Sequence, residues 1–435
     1  SLDKKPAMFI NESFVSFLWQ HSYYNTTRLT TTAGEKIVIK HPGYLNMHAG
    51  PDFMEAKIRI GDIDWAGSIE IHVKSSHWYA HDHSSNLDYN KVILHVVWKN
   101  DLEVYRNDNT IIPTLELFDK VDPRVLERFV NLIYQSAGYP CHPYLSNVKT
   151  ISVNSMIDKT MAERLDGKAD DIRKTFLDTG KDWEETSYRI LFRTFGFKVN
   201  QDNMFLLSKL IPFRILSRHR KNRLQTEALL FGTAGFLDKV CDTYSQNLRD
   251  EYLFLRYKYS LRSRFLKRYQ WRFLRLRPQN FPTIRIAQIA KLLGNMDKIF
   301  SFIIESPSVK DIKNLFNIKQ GIYWQHHYDF GKRSKQKLSG IGRDSVYNIL
   351  INSYVPILTA YSRNIMDHNY LAKAHKFLEV IPPENNHIIR KWVKIGIHPV
   401  SSFESQGLIE LSNSYCNKKK CLNCNIGTDI LLNNH

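Results

Sequence analysis

The sequence predicts an α+β chain: an N-terminal mixed β-sheet with flanking helices, then a mainly helical bundle, then a cysteine-rich C-terminal tail. Three observations predict it. Between residues 54 and 117, apolar residues alternate with polar ones or form short continuous runs, the patterns of half-buried and fully buried strands. From about Pro123 the pattern changes to helical periodicity. Near the end, Cys416, Cys421 and Cys424 crowd together among lysines. The segments implied are 1–122, 123–400 and 401–435.

Each element has its own signal. Residues from Asn11 to about His21 read as a helix, and 36–40 as a β-rich stretch. Residues 54–60 alternate, and Gly61-Asp62 turns the chain. In a strand over 68–75, Ile69, Ile71 and Val73 point one way and Glu70, His72 and Lys74 the other. A polar, histidine-rich stretch (75–90) leads to Val92–Trp98, whose nearly unbroken apolar run predicts a central strand buried on both faces. Asn100-Asp101 turns again, and 111–117 forms a further strand. After Pro123, helices are expected over 125–135, 151–178, 183–195, 204–216, 222–231 and 237–265, with a break at Gly138-Tyr139-Pro140-Cys141-His142-Pro143.

The chemistry concentrates in the first segment. Asp52 and Glu70 are two carboxylates suited to a hard divalent cation, Mg²⁺ or Mn²⁺, beside the imidazole of His72 and the amine of Lys74. By parity Asp52 falls with Met54, Ala56 and Ile58, on the apolar face. It reaches the face of Glu70 only if the chain bends or bulges before residue 54. The plainer reading makes Glu70, His72 and Lys74 the solvated face of an antiparallel strand. A second donor set lies close by: His72, His77, His81, His83 and His95, with Asp82 and Asp88 among them, are types that suit Zn²⁺, Mn²⁺ or Fe²⁺. These histidines form a site of their own or support the carboxylates; His95 alone reads as a hydrogen-bonded core histidine.

Net charge is +18 and the pI about 9.5, which calls for a polyanionic partner and makes nucleic acid the expectation. The most basic stretch offers Arg262, Arg264, Lys267, Arg268, Arg272 and Arg275 for phosphate contacts; the aromatics between them are expected to be core. No apolar run reaches the length of a membrane span. The N-terminus carries no hydrophobic signal region, and five cysteines, an odd number, argue against a disulfide framework, so a cytoplasmic chain is expected. Cys416, Cys421 and Cys424 have spacings suited to zinc or an iron–sulfur cluster, with the fourth ligand, Cys141 or His142, coming from afar.

Two resemblances follow from these residues. Pro51-Asp52 followed by Glu70-Ile71-His72 resembles the PD-(D/E)XK nuclease signature, with His72 where that signature has lysine. The resemblance covers about residues 8–118. It implies a restriction-endonuclease-like core, with Asp52 and Glu70 holding Mg²⁺ or Mn²⁺ and His72 or Lys74 assisting phosphodiester hydrolysis. The alternative it leaves open is a noncatalytic nucleic-acid-binding or scaffold protein on a degenerate nuclease fold. Over nearly its full length the chain also resembles an uncharacterised bacterial domain-of-unknown-function family. The recurring pattern is Gly50-Pro51-Asp52-Phe53, Trp65-Ala66-Gly67, Glu70-Ile71-His72, Ser75-Ser76-His77-Trp78, His81-Asp82-His83 and Leu94-His95-Val96-Val97. That family brings no known activity.

Overall fold

Asn11 opens the first helix: its side chain accepts the Phe14 amide and so satisfies one of the unpaired donors of a helix start. In the computed structural model, which describes residues 10–134, 138–306 and 308–432, this helix is α1 (Glu12–Gln20). It buries Phe14, Val15, Phe17, Leu18 and Trp19. Six strands follow: β1 (Ile37–His41), β2 (Tyr44–Leu45), β3 (Phe53–Ile60), β4 (Ile63–Lys74), β5 (Val92–Lys99) and β6 (Thr114–Glu116). Their spatial order is β1-β3-β4-β5-β6, with β2 paired to the start of β3. The β1-β3-β4 half is antiparallel and the β4-β5-β6 half parallel, so the sheet is mixed, as the sequence predicts.

Strand β5 is buried along Val92–Trp98, as a central strand flanked on both faces must be. One face is covered by α1, whose Phe14 ring lies 6.2 Å from Trp98 and stacks at 4.0 Å on Phe129 of α3 (Pro123–Tyr134). The other face carries Glu70, His72 and His95. The stretch after β4, a single helical turn α2 (His77–Ala80) and the chain to Asn90, folds over it.

Two irregularities shape the sheet. In β3 the pairing with β4 slips by one residue between Phe53 and Ala56, and Glu55 there has φ +59°, the left-handed conformation that such a bulge favours. In β4 the register with β5 slips between Ser68 and Ile69. Gly67 adjoins that slip because the neighbouring strand passes too close for a side chain. A Cβ there would stand 2.5 Å from Ile93 Cγ2 and 2.6 Å from the Lys91 carbonyl oxygen.

The described chain forms two compact units. One takes residues up to Ile157 together with those from Glu410 onward; the other is Asp158–Ile409. The C-terminal segment is stitched into the first unit. Tyr23 donates its hydroxyl to the Leu432 carbonyl (2.8 Å), Arg128 donates to the Ile430 carbonyl (3.2 Å), and the Lys149 amide donates to Asp429 (2.7 Å).

The second unit is helical and begins within α4 (Thr150–Asp178). It continues through α5 (Trp183–Phe195), α6 (Phe197–Leu210), α7 (Phe213–His219), α8 (Arg223–Thr233) and α9 (Thr243–Lys258). Two expected boundaries move. The helix expected over 204–216 is divided at Ile211-Pro212, where proline has no amide to donate. The helix expected over 237–265 ends at Lys258, and residues 259–281 form an irregular strap. Its buried anchors, Leu261, Leu266 and Trp271, are five residues apart, a spacing that no one helix face repeats. The Leu266 amide and the Trp271 indole instead donate to the Thr233 and Ala234 carbonyls at the end of α8, at 2.7 and 2.8 Å. Among the described residues, no helix is long and apolar enough to cross a membrane.

Gly67→Ala is expected to destabilise the protein by about 1–3 kcal/mol, because a backbone oxygen cannot step aside as a side chain can. Urea unfolding measures it; an unchanged midpoint would contradict the close approach.

Candidate metal centre

The bulge in β3 decides the site. Phe53 stands opposite Ile69 and shares its face, so Asp52, one residue earlier, turns to the face of Glu70. The break that parity requires therefore exists, but at Met54–Glu55 rather than before residue 54. The turn leading in is held by Asn46, whose amide donates to the Asp52 carbonyl (2.7 Å) and whose side chain donates to the Pro51 carbonyl (2.9 Å). The two carboxylates then interlock. The Asp52 amide donates to Glu70 Oε2 (3.2 Å), and the Ile71 amide donates to Asp52 Oδ2 (2.9 Å).

The histidines belong to the same site. His95 lies beside Glu70 in the neighbouring parallel strand, and its Nε2 is 2.8 Å from Nδ1 of His72. His72 Nε2 is 3.2 Å from Nδ1 of His81 and 3.7 Å from Glu70 Oε1. His83 Nε2 is 3.1 Å from the same Glu70 oxygen. Nitrogens of His72, His81 and His83 all lie within 4.8 Å of one another. The loop carrying His81 and His83 is fixed at several points. Asp101 accepts from Ser75 Oγ and the Ser76 amide, at 3.0 and 2.9 Å. Trp78 is fully buried in a cluster with Tyr89, Val92, Val104 and Ile112. Asp82 takes φ +58° to reverse the chain, and the His83 ring stacks at 3.9 Å on Tyr89.

The electrostatics of this face would suit a cation. Burial, and then the charge of Glu70, push the Asp52 carboxyl up to about 7. Burial and the neighbouring imidazoles push His95 down to about 3 and His72 down to about 2, so both rings are neutral in the folded protein. Neutral imidazoles beside crowded carboxylates are what a divalent ion binds. Of two buried ring nitrogens without a hydrogen bond, His83 Nε2 and His95 Nδ1, the first belongs to the donor set and stands 3.1 Å from Glu70 Oε1. Glu70, His72, His81 and His83 offer a carboxylate and three imidazoles, with Asp52 adjoining. His95, bonded to the far nitrogen of His72, fixes that ring's orientation.

Other predicted residues lie elsewhere. Lys74 is exposed at the end of β4, where its charge acts on Asp101. Glu12 was not anticipated: it sits 3.6 Å from His77 Nδ1, and its charge reaches Asp52. In sequence it is an ordinary first-turn acid, and only the packing of α1 reveals it. The basic residues Arg262, Arg264, Lys267, Arg268, Arg272 and Arg275 are exposed along the strap of the second unit. Arg268 is engaged there by Asp329 (2.6 Å) and by the rings of Phe236 and Phe273. Trp271 is buried as expected, but Phe265 and Tyr269 are exposed, since an irregular chain has no single buried face. Cys141, Cys416, Cys421 and Cys424 all fall in the first unit.

A family model described as a protein of unknown function (DUF2851) matches residues 12–387. No curated protein and no solved structure matches the chain.

Asp52→Asn keeps the acceptor for the Ile71 amide and removes the charge. Because the folded pKa is raised, the contribution of Asp52 to stability is fully present below about pH 4 and lost as pH rises through about 7. With metal chelated, Asp52→Asn should therefore exceed the parent in stability by about 2 kcal/mol at pH 8, a gap that closes towards pH 4. Denaturant titrations at both pH values decide it; a gap independent of pH would exclude a buried, cation-seeking Asp52.

Proposed function

The chain belongs to the DUF2851 family, for which no activity is established, and from the residues of its own site we propose that it is a metal-dependent phosphodiesterase acting on nucleic acid. The observation that carries this reading is the bulge at Met54–Glu55, which brings Asp52 to Glu70 in the manner the nuclease signature requires. Glu70, His72, His81 and His83 are the residues that would hold the ion, and Asp52 adjoins them as the second carboxylate. Three imidazole donors favour Mn²⁺ or Zn²⁺ over Mg²⁺. A bound ion supplies a hydroxide nucleophile near neutral pH and a positive charge for the phosphate oxygens.

The chain's own residues set the rest. His95 holds His72 by its Nδ1, leaving Nε2 turned towards the Glu70 carboxylate. His81 is exposed and leaves the site open at its rim. Lys74 is exposed at the end of β4, where its charge acts on Asp101, so His72 stands in the usual lysine position and a bound metal ion would provide the charge that lysine gives. The net charge of +18 and the strap, where exposed arginines accompany the open rings of Phe265 and Tyr269, support a nucleic-acid substrate. Arg262, Arg264, Lys267, Arg272 and Arg275 supply its phosphate contacts, while Arg268 holds the strap to Asp329.

With Mn²⁺ or Zn²⁺, the parent should cleave at least one member of a panel of single- and double-stranded DNA and RNA. Asp52→Ala, Glu70→Ala and His83→Ala should each lose on the order of 100-fold or more. Cleavage that survives all three substitutions sinks the assignment. Binding without cleavage under every metal transfers it to the noncatalytic reading. Arg264→Ala with Arg275→Ala should weaken binding across all sequences and flatten its salt dependence by about two charges, whereas Arg268→Ala should mainly lower thermal stability. Titrations at several salt concentrations, beside melting curves, separate the two effects.

A further inference from the structure

A second cluster of metal-ligand side chains lies in the first unit and plays no part in the carboxylate–imidazole site. It is made by two segments distant in sequence. One is the turn around Cys141, which follows α3 and precedes a short 3-10 helix over His142–Asn147. The other runs from a π-helical turn, Leu411–Cys416, through Cys421 and Cys424 to the final helix, Asn425–Leu432. Three contacts hold the segments together. Tyr139 and Ser412 share a hydrogen bond of 2.7 Å between their hydroxyls. Lys419 donates its ammonium to the Ile133 carbonyl at 2.8 Å. The Cys421 thiol lies 4.0 Å from the Leu132 carbonyl.

The result gathers the four cysteines into one neighbourhood. Each of Cys141, Cys416, Cys421 and Cys424 lies within electrostatic reach of the other three. Cys141 and Cys424 are buried, Cys416 and Cys421 half-buried, and none of the four is in a disulfide. The backbone is shaped to permit this. A Cβ on Gly427 would stand 2.1 Å from the Cys421 carbonyl oxygen, so only glycine lets the final helix close on the Cys421–Cys424 turn. Lys419 takes φ +52° between the first two tail cysteines. Lys418, Lys419 and Lys420 are all exposed around the cluster. Four thiolates around a divalent ion carry a net negative charge, which neighbouring lysines offset. Thiols gathered in this way without pairing as disulfides are ligands for a thiophilic metal.

We propose that Cys141, Cys416, Cys421 and Cys424 form a four-thiolate metal site, for a zinc ion or an iron–sulfur cluster, that fastens the C-terminal segment to the turn after α3. The site stands apart from the proposed phosphodiesterase centre and does not depend on it. Its role is structural, since a metal held there adds its binding free energy to the folding of the first unit.

The test uses the full chain purified without oxygen or added chelator, in a His83→Ala background so that the imidazole site does not contribute to the count. Metal analysis together with visible absorption distinguishes zinc (colourless) from an iron–sulfur cluster (coloured, with acid-labile sulfide). One site per chain is expected, lost in Cys141→Ser and in Cys424→Ser and retained in Cys241→Ser, whose thiol is exposed and outside the cluster. Should the cluster variants fail to fold, thiol titration of the parent decides. Cys241 alone should react before metal is stripped, and all five cysteines afterwards. Metal retained by both cluster variants, or five thiols equally reactive before stripping, overturns the proposal.

Discussion

A strand offers every second side chain to one face, and no side-chain chemistry relaxes that alternation. The site in this protein depends on one local exception to it. The extra residue at Met54–Glu55 lets Phe53 join Ile69 in the apolar layer while Asp52 turns to the opposite face, beside Glu70. The left-handed Glu55 costs on the order of 1 kcal/mol of backbone strain, and the pairing of β3 with β2 and β4 on either side holds it there. The apolar layer under α1 and the polar layer under the histidine loop are thus set by the same slip.

The polar layer is expensive to build. Two carboxyls and several imidazoles have been taken out of water on one face of a sheet, and ring nitrogens remain without partners. A structural network of that size is normally satisfied internally. Here His83 Nε2 and His95 Nδ1 make no hydrogen bond. Rigidity comes from outside the donor set: from Trp78 in its pocket, from Tyr89 under the His83 ring, and from Asp101 pinning Ser75 and Ser76. Donors held in this way lose little freedom when they bind, which favours affinity.

Much of this was legible in the sequence, for physical reasons. Period-two and continuous apolar runs located β3, β4 and β5 closely, because burial on one or both faces writes itself directly into composition. The Asp52–Glu70 pairing was legible as a conditional, since parity shows that a bulge is required but not where it falls. The union of the two donor sets was legible only as one of two alternatives. His95 reads as a core residue and His81 and His83 as loop residues, and only the parallel register of β4 and β5 sets His95 against His72. Glu12 was invisible for the same reason. The start of the strap, residues 259–265, reads as helix because its arginines and aromatics suit helical periodicity, while its true anchors are tertiary contacts to α8.

The first unit is discontinuous in sequence, and that has a consequence for its biogenesis. Its two parts are separated by residues 158–409, or 409 − 157 = 252 residues. Closing a flexible loop of that length costs roughly 5 kcal/mol in chain entropy. Early folding of the intervening helices shortens the effective loop and reduces that cost. A ribosome makes residues 410–432 after the intervening helices, so the sheet and its histidine loop are synthesised well before Tyr23, Arg128 and Lys149 meet their partners in that segment. A nascent chain interrupted before residue 410 carries every residue of the carboxylate–imidazole face but lacks the segment that packs against α3. Completion of the unit therefore waits on synthesis of residues 410–432.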